Sequence, residues 1–138
     1  MRLQNQNFTL LTWVILSTPL FITVGCSSTE RATRKPGEVQ HIVLCWLKEP
    51  GNTEARQKLI DASYKLISLP GVVNVLAGPP LPSERPVVDD SFDVGIIMVL
   101  ENSDALQQYL ENPVHKKAIA EVLAPLTERI LIYDVVVE

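Results

Sequence analysis

VQHIVLCWLK, residues 39–48, is the stretch that decides how this chain folds. Side chains of a β-strand point alternately to its two faces. Here one face carries a histidine and a cysteine among aliphatic residues, and the other carries two aliphatic residues and a tryptophan. Because both faces are largely apolar, the pattern indicates a strand that is buried on both sides. The first face holds Val39, His41, Val43, Cys45 and Leu47, and the second holds Ile42, Leu44 and Trp46.

Outward from this strand, helix and strand breakers divide the rest of the domain into further elements. Pro50-Gly51 ends the first strand, and Pro70-Gly71 ends a helix. Asn112-Pro113 supplies an N-cap and a first helical residue, so the second helical region is in two parts. The order β-α-β-β-α-β predicts a ferredoxin-like α+β fold, an antiparallel sheet with helices on one face. The predicted elements are helices at 53–68, 104–110 and 113–126 and strands at 72–77, 92–100 and 130–137.

The first, third and last strands of this prediction are apolar on both faces. Helices can cover only one face of a ferredoxin-like sheet. A large apolar surface without a cover marks an interaction site, and most soluble oligomers are symmetric. The pattern therefore predicts a homodimer that packs through the open face of the sheet.

The first 38 residues carry signals of targeting rather than of folding. Residues 8–25 are uncharged and lead to Thr23-Val24-Gly25-Cys26, which resembles the bacterial lipobox except that leucine is usual at Thr23. The resemblance implies that Cys26 is acylated, and several acyl chains hold a protein on a membrane. Ser27 in place of aspartate implies the outer membrane of the cell envelope, facing the periplasm. An uncleaved anchor and a cleaved soluble protein are the alternatives.

The chain thus divides into a lipoprotein signal peptide (1–25), a lipidated cysteine with a flexible tether (26–38) and a folded domain (39–138). The 138 residues are 46% hydrophobic with a net charge of −4, and residues 39–138 alone hold 8 basic and 14 acidic side chains, a net of −6. This charge argues against nucleic-acid binding. Two cysteines and two histidines are too few for a disulfide framework or a structural zinc site. We expect no metal and no cofactor.

Five short motifs in the domain resemble the stress-responsive A/B barrel family, also called Dabb or dimeric α/β-barrel proteins. The resemblance spans residues 39–138 and implies the fold predicted above, with homodimers in which two sheets form a barrel. Most members have no assigned activity, and one plant relative is a polyketide cyclase that needs no cofactor. The motifs are His41-Ile42-Val43-Leu44, Leu69-Pro70-Gly71-Val72, Phe92-Asp93, Tyr109-Leu110 with Asn112-Pro113-Val114-His115, and Leu131-Ile132-Tyr133-Asp134.

His115 is the first candidate for chemistry, because it lies in the first turn of a helix on its inward stripe. A helix N-terminus disfavours the imidazolium, so a neutral ring that accepts a proton is expected. The resemblance matches His115 to the catalytic histidine of the cyclase and Tyr109 to a tyrosine of its pocket, which could donate a hydrogen bond to a substrate oxygen. In the alternative interpretation, both side chains and His41 serve packing alone. The predicted ligand pocket is lined by His41, Val43, Val94, Ile119 and Val122.

This chain also departs from the cyclase. Asn112 stands where the cyclase has a histidine, Val94 or a neighbour replaces another, and Tyr64 is predicted to point away from the pocket. Cyclase activity itself is therefore not implied. Elsewhere, Cys45 between apolar neighbours is predicted to be a buried inert thiol, and three aspartates near residue 90 are predicted to form a solvated loop rather than a cation site.

Three functions remain open at this point. The first is an envelope lipoprotein whose dimeric barrel binds a small apolar or aromatic molecule. The second is a cofactor-independent enzyme of the cyclase or isomerase type, with His115 as general base. The third is a structural dimerisation module at the membrane, which would meet a partner through Ile60, Tyr64 and Ile67.

Overall fold

In a computed structural model that describes residues 35–138, the sequence VQHIVLCWL forms the strand β1, Val39–Leu47. It pairs antiparallel with a strand on each side and is therefore central in the sheet. The predicted signal peptide, Cys26 and most of the tether lie outside the described residues. Within residues 35–138, no helix has the length and apolar character that crossing a bilayer requires.

The remaining elements follow the predicted order and build one four-stranded antiparallel sheet, β2-β3-β1-β4. The prediction of a ferredoxin-like α+β fold is confirmed. The second helical region is broken at Asn112-Pro113 into two parts as predicted, and its second part ends at Leu126, one residue after Pro125. In chain order the elements are α1 (Thr53–Lys65) with a 3₁₀ turn (Leu66–Ser68), β2 (Val72–Gly78), β3 (Val94–Leu100), α2 (Ser103–Glu111), α3 (Pro113–Ala118), a π-helical turn (Ile119–Leu123), a short helical turn (Ala124–Leu126) and β4 (Thr127–Val136).

The strand register decides which side chains share a face of the sheet. His41 of β1 lies opposite Met98 of β3 and Asp134 of β4. Opposed residues point to the same side. The helices cover this side, which we call the covered face, and its β1 residues are Val39, His41, Val43, Cys45 and Leu47, all buried.

The covered face forms two apolar clusters under the helices. One cluster, around Met98 and Leu100, packs against α2 and the 3₁₀ turn, and the other, around Leu47 and Cys45, packs against α1 and the π-helical turn. Each fully buried aliphatic side chain contributes about 1.5–3 kcal/mol. These clusters fix the helices over β1, β2 and β3 and leave β4 largely uncovered.

Gly71 allows α2 to approach the sheet. Its φ is +77°, in the left-handed region, and a Cβ atom built on it would lie 2.7 Å from Cβ of Ala105 in α2. Only glycine satisfies both requirements at low cost. The Pro70-Gly71 turn predicted from sequence is thus also a helix contact.

The opposite side of the sheet, the open face, is covered by no helix of the described chain. Phe92 and the loop residues Pro79, Pro80 and Leu81 lie beside it, at the end formed by Leu44, Leu76 and Gly95. Its residues on β1, Ile42, Leu44 and Trp46, are half-buried by their neighbours. Tyr133 and Leu76, on the outer strands, are about half exposed. A largely apolar surface therefore faces outward, interrupted by the polar side chains of Gln40, Asn74 and Arg129. Its apolar residues are Leu76, Ile42, Leu44, Trp46, Ile97, Val99, Leu131, Tyr133 and Val135.

The edge strands differ from the central ones. On β4 even the residues that point to the covered side, Ile130, Ile132 and Val136, are 38–58% exposed. On β2 the hydroxyl of Tyr64 lies 3.3 Å from both the amide and the carbonyl of Ala77, so it satisfies part of the free edge. The exposure of β4 deviates from the expectation of two-sided burial, because the helices cover the centre of the sheet first.

Candidate functional site

A cavity of about 130 Å³ lies between the covered face and the helices. Its wall is mostly aliphatic and comes from β1, β3, β4, α1, α2, α3 and the π-helical turn. The polar side chains that line it are His41, Ser63, Tyr109 and His115. The remaining wall is Val43, Leu59, Ala62, Leu66, Ile96, Met98, Leu110, Ala118, Ile119, Val122, Leu123 and Ile132.

Six of the seven residues predicted for the site lie together in this wall. They are His41, Val43, Tyr109, His115, Ile119 and Val122. The seventh, Val94, does not line the cavity. It is fully buried one pair further along the sheet, opposite Cys45, in the cluster under α1. Val94 points to the covered face as predicted, but the cavity ends before the pair formed by Val94 and Cys45.

Local sequence positions His115 at the start of α3. The side chain of Asn112 accepts a hydrogen bond from the amide of Val114 at 2.9 Å, and Pro113 is the first helical residue. An N-cap followed by proline fixes both the start and the direction of a helix. His115 is then held on the buried side, with 7% of its surface exposed.

The π-helical turn Ile119–Leu123 shapes the wall beyond α3. A π turn inserts one residue into a helix and rotates the side chains that follow it. Three of its residues, Ile119, Val122 and Leu123, line the cavity. The hydroxyl of Thr127 then donates a hydrogen bond to the carbonyl of Leu123 and closes the turn against β4.

Three rings form a row along one side of the cavity. The ring centroids of Tyr109 and His115 are 4.1 Å apart at an interplanar angle of 36°, and those of Tyr109 and His41 are 6.0 Å apart in an edge-to-face arrangement. Aromatic pairs in such geometries attract one another beyond their burial. Tyr109 is therefore the central ring of the row, between the two histidines of the chain.

His115 has an incomplete set of hydrogen bonds. Its Nδ1 atom is buried and has no partner among residues 35–138. Burial lowers the pKa of His115 below 6.5, helped by the charges of His41 and Lys116, while the carbonyl of Leu110 opposes part of this shift. The imidazole is therefore neutral at pH 7, as the sequence predicted, although burial and not the helix terminus is the main cause.

Tyr109 is a neutral donor in the same place. It is 3% exposed, and burial raises the pKa of its phenol above the ordinary value. Its hydroxyl takes part in none of the hydrogen bonds found within residues 35–138. A phenol that stays protonated and has no internal partner can donate to a ligand oxygen.

His41, by contrast, has a partner that sequence reasoning missed. Its Nδ1 lies 2.6 Å from Oδ1 of Asp134, the residue opposite it on β4. The sequence shows a single carboxylate, Asp134, within the apolar run ILIYDVVV, and this could have indicated a buried partner. Which residue lies opposite Asp134 depends on the strand register. Asp134 fixes the orientation of the His41 ring and leaves its Nε2 free of that contact.

The other groups weighed in the sequence have structural roles. Burial raises the pKa of the Cys45 thiol to about 11, which makes it a poor nucleophile. Asp93 accepts hydrogen bonds from the amides of Leu47 and Gly51 and so holds the turn after β1. Within the part of the chain that the structure describes, no three His, Cys, Asp or Glu side chains are grouped as metal ligands.

The fold is shared with proteins of known structure. A Dabb-family protein with a ferredoxin-like fold from Mesorhizobium loti is 23% identical, with a TM-score of 0.61 over 74% of this chain and 98% of that chain. A dimeric ferredoxin-like protein of unknown function from Thermobifida fusca is 20% identical, with a TM-score of 0.62 over 77% and 96%. The hydroxynitrile lyase of Passiflora edulis is 18% identical, with a TM-score of 0.62 over 75% and 96%. These relatives consist almost wholly of this domain, so the fold forms without further segments.

The comparison of sequences indicates the same family as the comparison of structures. No curated protein matches this chain. The pattern of the Stress responsive A/B Barrel Domain matches residues 39–137, from the first residue of β1 to the residue after β4. The cavity, its row of three rings and the open sheet face thus all lie within the matched domain, and the chain belongs to the stress-responsive A/B barrel family.

Proposed function

We propose that the domain binds a small apolar or aromatic molecule in the cavity under the helices. The observation that carries this proposal is a mostly aliphatic cavity of about 130 Å³ whose wall includes His115, with a buried Nδ1 that has no partner in the described chain, and the buried phenol of Tyr109. Buried polar groups are nearly always paired, so an unpaired group indicates a missing partner. Ligand sites typically combine an apolar wall with a few such groups.

Mass spectrometry of small molecules extracted from the purified native protein tests the proposal. Wild type is expected to carry a bound organic compound, whereas Ala62→Phe fills the cavity from α1 and loses it. Ala120→Phe is the matched control, because Ala120 is exposed and does not line the cavity. Identical extracts from wild type and Ala62→Phe would contradict ligand binding and favour the purely structural dimerisation module.

A second candidate function is cofactor-independent catalysis of the cyclase or isomerase type. The observation that favours it is a neutral imidazole, His115, stacked on a protonated phenol, Tyr109. The imidazole would accept a proton from a carbon acid, and the phenol would donate a hydrogen bond to the carbonyl oxygen that gains charge. The hydroxynitrile lyase of Passiflora edulis, with the same fold, supports the idea that this scaffold can host an enzyme.

Exchange of the methyl protons of acetophenone in D₂O, followed by proton NMR, tests this second function. Wild type is expected to accelerate the exchange, and His115→Ala to reduce the acceleration at least about 100-fold. His115 does not face the open sheet surface, so this variant is expected to keep the association state of wild type. Equal exchange rates for wild type and His115→Ala would exclude His115 as the base.

We also propose that the protein is a homodimer joined through the open face. The support is a broad, largely apolar surface that no helix of the described chain covers, together with a dimeric relative from Thermobifida fusca. Light scattering of residues 35–138 at micromolar concentration is expected to give the mass of two chains. A monomer under these conditions would overturn the proposal.

The location of the protein is a proposal as well. The segment Thr23-Val24-Gly25-Cys26 supports an acylated lipoprotein on the outer membrane, facing the periplasm. Cys26→Ser is expected to abolish acylation, to leave the precursor unprocessed and to change partitioning between membrane and soluble fractions. Unchanged processing and partitioning would contradict the lipid anchor.

A further inference from the structure

The size of the cavity limits what it can hold. An engineered cavity of about 150 Å³ with aliphatic and aromatic walls binds one benzene molecule. The present cavity measures about 130 Å³, and its deep wall includes Leu59 and Met98, both almost fully buried. Protein cores resist expansion because they are close-packed. One six-membered ring matches this volume, whereas two fused rings would extend past Ile119 and Ile132, which are 37% and 48% exposed, into solvent.

The polar groups of the cavity are concentrated on one side. The stacked pair of Tyr109 and His115 presents a phenolic donor and a buried Nδ1 without a partner in the described chain. The walls around them are aliphatic. One hydroxyl group on a ligand can accept from the phenol and donate to an imidazole nitrogen, so a single hydroxyl satisfies both side chains.

The electrostatics of the site disfavour an ionised ligand. No lysine or arginine is among the described residues that line the cavity. The ionised group nearest to the row of rings is the carboxylate of Asp134, which contacts His41. The imidazole of His115 is neutral at pH 7, since burial lowers its pKa. A carboxylate ligand against Tyr109 and His115 would therefore be buried beside a neutral imidazole, and the charge of His41 is already paired with Asp134.

We propose that the cavity selects a neutral single-ring molecule with one hydroxyl group, a phenol, whose hydroxyl contacts Tyr109 and His115. This inference rests on the proposed binding function and adds three limits to it: one ring, no charge and one hydroxyl. The ring occupies the aliphatic part of the cavity, against Leu59 and Met98. The hydroxyl replaces the hydrogen bonds that the two polar side chains lack inside the protein.

Fluorine NMR with 4-fluorophenol as the observed probe tests these limits on residues 35–138. Phenol, toluene, benzoate and 2-naphthol are added separately as competitors. Phenol is expected to displace the probe about tenfold more tightly than toluene, which lacks the hydroxyl. Benzoate and 2-naphthol are each expected to compete at least tenfold more weakly than phenol, through charge and through size.

Two variants separate the parts of the proposal. Ala62→Phe is expected to abolish the probe signal, and Ala120→Phe to leave it unchanged. His115→Leu is expected to reduce the preference for phenol over toluene to less than about threefold while probe binding persists. Such a loss of selectivity without a loss of binding distinguishes hydrogen bonding from a purely structural role of His115.

The outcomes separate this inference from the binding function beneath it. If all four competitors displace the probe equally, the cavity binds small molecules but the proposed selectivity is wrong. Tighter binding of benzoate or 2-naphthol than of phenol overturns the inference in the same way. If 4-fluorophenol does not bind wild type at millimolar concentration, the phenol inference is wrong, and the extraction experiment then decides whether the binding function survives.

Discussion

The two faces of the sheet have similar strand composition and opposite surroundings. On β1, Val43 points to the covered face and is buried, whereas its neighbour Ile42 points to the open face and is only half-buried. The covered face contains a cavity and a buried His115 Nδ1 without a partner in the described chain, and the open face is largely apolar. The difference shows that an apolar pattern predicts that a sheet face is buried, but not which helices or which chain cover that face. Helices of the same chain cover one face, and we propose that a second chain covers the other.

The largest effect is expected from a charge at the centre of the open face. Ile42 lies opposite both Ile97 and Tyr133. Ile42→Lys would bury two unpaired charges in a symmetric dimer, at a cost of about 4 kcal/mol or more. Light scattering of residues 35–138 is expected to show a monomer that keeps the far-UV circular dichroism of wild type.

The control for this change is Val87→Lys, which adds the same charge on an exposed loop residue. It is expected to leave the association state unchanged. If Ile42→Lys stays dimeric, the open face is not the interface, and the contrast between the two faces loses its explanation.

The next effect concerns the covered face. Leu100 is fully buried in the cluster under α2, and Leu100→Ala is expected to lower the free energy of unfolding by about 3 kcal/mol. Leu76→Ala, on the open face and 52% exposed, is expected to cost less than about 1 kcal/mol at concentrations too low for association. Urea denaturation of both variants measures the difference, and similar losses would mean that the two faces are equally buried in one chain.

A smaller effect is expected at the turn that brings α2 onto the covered face. Gly71→Ala adds both a left-handed backbone strain and a clash with Ala105, and is expected to cost about 2–3 kcal/mol. Gly51→Ala has the same strain, at φ +78°, but nothing within 4 Å of the added Cβ, so it is expected to cost about 1 kcal/mol. Thermal unfolding of the two variants isolates the contribution of the contact with Ala105. Equal losses of stability would show that Ala105 moves away from the added Cβ at little cost.

The smallest effect is a pH dependence that comes from the cavity. The pKa of His115 is lowered from 6.5 in the folded protein, so below pH 6.5 the unfolded chain binds more protons than the native one. The free energy of unfolding should therefore be fully present above pH 6.5 and fall as the pH drops below it. His115→Phe is expected to remove this part of the slope, whereas Tyr109→Phe keeps it. Denaturant titrations from about pH 5 to 7 measure the slope, and equal slopes for wild type and His115→Phe would contradict the assignment.

Much of the fold and part of the site could be predicted from local sequence. Alternation in β1 placed His41 and Val43 on the inward face, and Asn112-Pro113 predicted the helix start that buries His115. These signals act over a few residues, since strand alternation and helix capping are properties of neighbouring backbone groups. Cys45 was predicted to be buried for the same reason.

The parts that could not be predicted depend on residues far apart in the chain. Alternation predicts that Val94 points to the covered face, but it does not predict that the cavity ends before Val94. The position of the cavity along that face depends on how α1 and the π-helical turn pack. The contact between His41 and Asp134 joins residues 93 positions apart and depends on the strand register. The exposure of β4 follows from its place at the sheet edge, which alternation does not reveal.

By itself, the sequence determined the order of the elements, the inward faces of the central strands and the family, because all three rest on periodicity and on short motifs. The position of Tyr109 between His41 and His115, the orientation of His41 by Asp134 and the cavity beside them come from the packed chain. The physical reason is that packing and register are set by the whole chain at once. A strand pattern states which side chains face inward, but the volume left between sheet and helices depends on every side chain that shares it.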